Sequence, residues 1–170
     1  MANTYTLIAS STVGSGGAAN IEFTSIPSTY TDLLVKVSSR SNRGGGQVSD
    51  GIAIQFNGST SSLSMRYLDG NGSSAGSSTD TAIWTRTSAS GATASTFGNA
   101  EYYIPNYAGS TNKSVSVDGV SENNATSAFV MLSAGLWSNT AAITSVKLIS
   151  INAENFVEHS TAYLYGISNS

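Results

Sequence analysis

The chain has 170 residues, a net charge of −3 and only 10% charged residues, against about 25% in an average soluble domain. It contains no cysteine, which excludes a disulfide scaffold, a thiolate zinc site and a cysteine nucleophile together. Its seven basic residues form no cluster beyond Arg40 and Arg43, so the convergent cations that phosphate-backbone binding requires are missing.

That length fits one domain spanning 1–170, and a chain of this size buries roughly two-thirds of its unfolded surface without a metal or a cross-link. The polar surface must be uncharged, built from Ser, Thr, Asn and Gly. The start, Met1-Ala2-Asn3-Thr4-Tyr5-Thr6, has no basic n-region and no long apolar h-region, so no signal peptide is expected. No apolar stretch is long enough to span a membrane as a helix.

Taken in chain order, the apolar residues recur with period two. Strands are predicted near 4–12, 19–25, 32–40, 51–57, 62–68, 80–87, 96–104, 113–121, 127–137, 142–151 and 161–167, about nine or ten once some merge or fail. Leu33, Val35 and Val37 alternate with Leu34, Lys36 and Ser38. Ile52, Ile54 and Phe56 alternate with Ala53 and Gln55, and Val115 and Val117 with Ser114, Ser116 and Asp118. Together with Leu148 and Leu164, those eight apolar residues are the predicted core. Val13-Gly14-Ser15-Gly16-Gly17, Asn57-Gly58 and Asp69-Gly70-Asn71-Gly72 read as turns, and Pro105 ends a strand because proline cannot donate to a ladder.

Two segments read as loose. Residues 41–50 carry Gly44, Gly45 and Gly46, and 71–95 is almost low-complexity, with a short strand expected only at Ala82-Ile83-Trp84. Many turn-punctuated strands without helices indicate an all-β antiparallel sandwich, jelly-roll-like, in a single domain. A different sandwich topology stays open, because the sequence does not order the strands. Ala128-Phe129-Val130-Met131-Leu132 is apolar on both faces, which fits either a central strand or one covered by a neighbouring subunit.

Reactive groups are sparse. His159 is the single histidine, and no Gly-x-Ser-x-Gly turn accompanies it. A hydrolytic metal site usually takes several His and carboxylate ligands. Asp32, Glu101, Asp118, Glu122, Glu154 and Glu158 could supply a glycosidase pair, but no spacing singles one out. Asp69-Gly70-Asn71-Gly72 has calcium-loop residue types without the repeated acids and distal Glu, and the three glycines after Arg43 lack the setting of a phosphate cradle. Asn57, Asn71, Asn112 and Asn124 begin Asn-x-Ser/Thr triplets that chance explains in such a chain. No enzyme activity, cofactor or metal is expected. Six aromatics are the candidate interaction residues: Tyr103, Tyr107, Phe129, Trp137, Tyr163 and Tyr165. Alternation turns Tyr103 outward if Tyr102 and Ile104 face the core, and exposed Tyr or Trp can anchor a partner or stack on a sugar.

Several strand-and-turn phrases carry a resemblance. They are Ile26-Pro27-Ser28-Thr29-Tyr30-Thr31-Asp32-Leu33, Asp50-Gly51-Ile52-Ala53-Ile54-Gln55-Phe56-Asn57-Gly58, Tyr103-Ile104-Pro105-Asn106-Tyr107, Ile143-Thr144-Ser145-Val146-Lys147-Leu148, Asn155-Phe156-Val157 and Ser160-Thr161-Ala162-Tyr163-Leu164-Tyr165-Gly166-Ile167. Together they resemble small virion proteins of tailed bacteriophages, over essentially the whole chain. The resemblance implies a particle component at the virion surface, made in the host cytoplasm, and transfers no functional residues. The leading expectation is a capsid decoration or cement protein whose partners are the major capsid protein or other virion proteins. The alternative is a tail-fibre or head-fibre tip that binds a host glycan. Apolar groups on both faces of the last strands add the expectation of a homo-oligomer, a trimer, with contacts in 128–132 or 163–167.

Overall fold

The computed structural model describes residues 4–124 and 127–168. Among them there is no helix and there are twelve strands. In chain order these are β1 (Tyr5–Thr12), β2 (Asn20–Phe23), β3 (Asp32–Ser39), β4 (Ser49–Phe56), β5 (Leu63–Gly70) and β6 (Ala75–Asp80). There follow β7 (Ile83–Ser88), β8 (Gly98–Ile104), β9 (Lys113–Ser121), β10 (Phe129–Trp137), β11 (Val146–Ser150) and β12 (Thr161–Ile167). All ladders between them are antiparallel.

The strands form two packed sheets, one of eight in the order β1-β12-β3-β8-β9-β10-β5-β6 and one of four in the order β2-β11-β4-β7. Setting aside β5–β6 and β9–β10 leaves β1-β12-β3-β8 facing β2-β11-β4-β7. The chain then crosses between sheets at β1 to β2, β2 to β3, β3 to β4, β7 to β8, β8 to β11 and β11 to β12. That is the strand order of a jelly roll. The two remaining hairpins are insertions, one between β4 and β7 and one between β8 and β11, and both add to the same side of the large sheet, beyond β8.

Period-two patterning placed the core correctly. All ten expected core residues are buried, with Leu33, Val35, Ile54, Phe56, Val117, Leu148 and Leu164 at 0% exposure. Tyr102 joins them from β8 and donates its hydroxyl to the Ile52 carbonyl of β4 at 2.7 Å, a polar tie across the sandwich.

The expectation of a single short island within 71–95 is corrected: that stretch holds both β6 and β7. β6 escaped notice because it is an edge strand with no buried residue, so nothing imprints a hydrophobic period on it; backbone pairing to β5 holds it in place. The turn that closes that hairpin is 71–74, since Asp69 and Gly70 pair within β5, and Asn71 Oδ1 accepts there from the backbone N–H of Ser73 and Ser74 at 3.1 and 2.9 Å. Past β7, the Arg40 guanidinium gathers the loop by donating to the carbonyls of Ala92, Thr93 and Thr96 at 2.8–3.0 Å.

The insertions bend round the free edge of β7. Trp84 turns its N–H and C=O away from β4, where they meet Met65 Sδ of β5 at 3.3 Å and the Ser133 hydroxyl of β10 at 3.4 Å. The Trp84 indole lies against Tyr67, donates to Asp80 Oδ2 at 2.8 Å, and shares the Arg86 guanidinium with Phe129. Close approach requires glycine on the inserted strands: a Cβ at Gly119 would stand 2.1 Å from Thr85 Oγ1, and one at Gly135 would stand 2.8 Å from Ile83.

Two substitutions test this packing by urea denaturation. Gly119→Ala forces a methyl into Thr85 and should cost about 1–3 kcal/mol, whereas Gly44→Ala, with open space around it, should change stability by less than about 0.5 kcal/mol. Tyr102→Phe should cost about 1 kcal/mol by removing this hydrogen bond across the sandwich. Burial raises the Tyr102 phenol above its ordinary value, so its contribution is full below about pH 10 and lost as pH rises further. Tyr102→Phe should therefore also lessen the loss of stability in alkali.

Candidate functional site

Each strand of the large sheet sends alternate side chains inward and outward. The outward set holds nine of the ten exposed large hydrophobic residues: Tyr5, Leu7, Leu68, Tyr103, Val120, Val130, Leu132, Leu136 and Tyr163. Ile151, after β11, is the tenth. A sandwich strand needs one buried face only, so an outer face this apolar marks a surface for contact.

The face has two halves. On the jelly-roll side, registers place Leu7 beside Tyr165, Tyr165 beside Leu34 and Leu34 beside Tyr103. The next row runs Tyr163, Lys36, Glu101, Asp118. Tyr5, Leu34, Lys36, Glu101 and Tyr165 line one shallow depression there. On the inserted side the same row continues through Leu132 and Leu68, and Val120 pairs with Val130 one step along.

Charges sit in the middle. Lys36 Nζ bonds Glu101 Oε1 at 2.6 Å, and that bond with its charge raises the Lys36 ammonium above its ordinary value. Asp118 stands directly across from Glu101 on the neighbouring strand, a like-charge pairing that costs stability. Partial burial and then the Glu101 charge push the Asp118 carboxyl up. The sequence had not singled out this carboxylate pair. It lies on an open sheet face rather than in a cleft, and its Glu101 is already engaged with Lys36.

Three of the six candidate aromatics come together here: Tyr103, Tyr163 and Tyr165. Tyr103 also donates its hydroxyl to Asp32 Oδ2 at 2.9 Å, which raises its phenol, while Asp32 Oδ1 receives the Asn106 backbone N–H at 2.9 Å. The other three are corrected. Tyr107 is fully buried and donates its hydroxyl to the Pro27 carbonyl. Trp137 is buried against Phe56, with ring centroids 5.6 Å apart, because its position on β10 has inward parity. Phe129 has the same parity and is half-buried under the Arg86 guanidinium, 4.4 Å from its ring. Tyr5, Leu7, Leu68 and Val120 went unread; Leu68 and Val120 are each a lone apolar residue on an otherwise polar side of their strand, and Tyr5 and Leu7 share one side of β1 with Ser10 and Thr12.

His159 is exposed at a turn, with φ 72° and its backbone N–H on the Val13 carbonyl at 2.9 Å. Among the described residues no three His, Cys, Asp or Glu side chains gather as a metal site would require, and no helix is long and apolar enough to cross a membrane. Lys113 is buried, its ammonium donating to the Gly109 carbonyl at 2.7 Å and to the Thr111 carbonyl; burial lowers its pKa. No family model matches the chain, and neither a curated protein nor a solved structure matches it.

The alternation on β10 gives a direct test. At high dilution, where copies do not associate, Leu132→Ser, at 57% exposure, should alter stability by no more than about 0.5 kcal/mol. Met131→Ala, one residue earlier and 1% exposed, should cost about 2–5 kcal/mol. Equal urea midpoints for the two variants would contradict the outward assignment.

Proposed function

We propose that this chain is a structural protein of a tailed bacteriophage particle, acting at the virion surface as a capsid decoration or cement protein. It binds the outside of the assembled shell and reinforces the joints between capsomers by burying surface, with no bond made or broken. The observation that carries this reading is the gathering of nine exposed large hydrophobics on one sheet face. Such a face gains from being covered by a large protein surface. The strand-and-turn phrases that resemble phage virion proteins supply the setting. The jelly roll is a fold that viral capsid domains use among others, which is support by analogy alone.

A second reading, a fibre tip that binds a host glycan, draws on the Tyr5, Tyr163 and Tyr165 rings around the Lys36–Glu101 pair. Tyrosine faces stack on sugar rings, and a lysine–carboxylate pair can bond hydroxyls.

Copy number separates the two. Quantitative protein staining of purified particles should find this chain in hundreds of copies per virion if it decorates the shell. A few tens of copies would favour the fibre tip, and its absence from washed particles would defeat both. Tyr163→Ala with Leu7→Ser should weaken retention on the shell under the decoration reading.

A further inference from the structure

The inserted hairpins carry an outer face that differs from the jelly-roll half. Its exposed large hydrophobics, Leu68, Val120, Val130, Leu132 and Leu136, are all aliphatic. Register sets them in relief. Leu132 and Leu68 are direct neighbours and form a ridge. The next row outward from β9 and β10 is low, Ser116 beside Ala134, and Leu136 closes it off between Ser114 and Ser64. Depressions lie on both sides of Ala134, bounded by Leu132 and Leu68 on one side and by Leu136 on the other.

Charge follows the same plan. Arg66 stands outward next to Ala134 on β5, and Asp118 outward next to Leu132 on β9. Neither enters an ion pair among the described residues, where Lys36–Glu101, Arg86–Asp69 and Lys147–Glu22 are the pairs formed. Two strands and one outward step apart, they are about 12 Å from each other on one surface, too far to pair within the chain. A surface with an apolar centre between an unpaired cation and an unpaired anion complements itself.

We propose that this face pairs two copies of the chain about a twofold axis. The Leu68–Leu132 ridges of the two copies pack on each other around the axis, and Arg66 of each faces Asp118 of its mate across it. The four strands β9, β10, β5 and β6 present about 19 by 27 Å, near 500 Å² per copy and about 1,000 Å² in total. That meets the lower bound for a biological interface and fits a weak, reversible pair. The threefold homo-oligomer expected from sequence joins two different patches, whereas a patch that complements itself closes a twofold pair. The pairing is independent of the particle role and leaves the tyrosine half of the sheet free for another partner.

Sedimentation velocity on the purified full chain at tens of micromolar tests it. The wild-type chain should sediment as a dimer. Leu132→Asp and Arg66→Asp should each weaken the dimer at least about tenfold, with circular dichroism showing an unchanged β spectrum. Leu68→Ser serves as the second ridge variant should Leu132→Asp fail to fold. The exchange Arg66→Asp with Asp118→Arg should recover the dimer that Arg66→Asp loses, and Tyr163→Ala should leave it intact. A wild-type monomer, a trimer, or a dimer indifferent to folded ridge variants would overturn the proposal.

Discussion

The structure turns on the free edge of β7. In the jelly roll this strand ends the small sheet, with Trp84 presenting an N–H and a C=O that no strand of that sheet satisfies. An open edge of this kind invites pairing with another chain. Here it is closed by side chains from the insertions, Met65 Sδ on the N–H and the Ser133 hydroxyl on the carbonyl. A small second core of Ala53, Met65, Trp84 and Met131 then seals the edge from water. Without β5 and β10 in place, the Trp84 indole and its backbone groups would lie open together.

That closure explains the rest of the arrangement. To reach β7, the insertions must extend the large sheet and bend it, and bending requires inner positions without side chains at Gly119 and Gly135. Once the inner face is committed to β7, the outer face has nothing of the chain's own to cover it. Leu68, Val130 and Leu132, each more than half exposed, are the consequence. The same sheet is therefore structural on one side and available for contact on the other, and the edge strand β6 has no buried residue.

The jelly-roll half is organised differently. Its outer face sets Tyr5, Tyr103, Tyr163 and Tyr165 beside Leu7 and Leu34, and polar bonds hold part of its relief. Asp32 holds both Tyr103 and the backbone of Asn106, so the turn after Pro105 and the outward ring are set by one carboxylate. Lys36 offsets Glu101 but leaves Asp118 with a like charge opposite. Halves of such different chemistry suit different partners, which is why the proposed pairing of copies and the proposed attachment to a shell use opposite ends of one sheet.

The sequence by itself determined the fold class, the strand positions with a hydrophobic period, and the core. Val35, Ile54 and Val117 are buried because alternation along a half-buried strand is dictated locally. It also placed Tyr103 outward, from the inward parity of Tyr102 and Ile104. Tertiary structure alone decided the strand order, the existence of β6, and the fate of Tyr107, Phe129 and Trp137. Parity within a strand says that two sides differ, and only packing says which side meets the other sheet. The candidate face was half legible for the same reason. The 128–132 run advertised apolar residues on both sides, but Tyr5, Leu7, Leu68 and Val120 became a surface only when strands distant in sequence were laid side by side, a nonlocal pairing that no local pattern encodes.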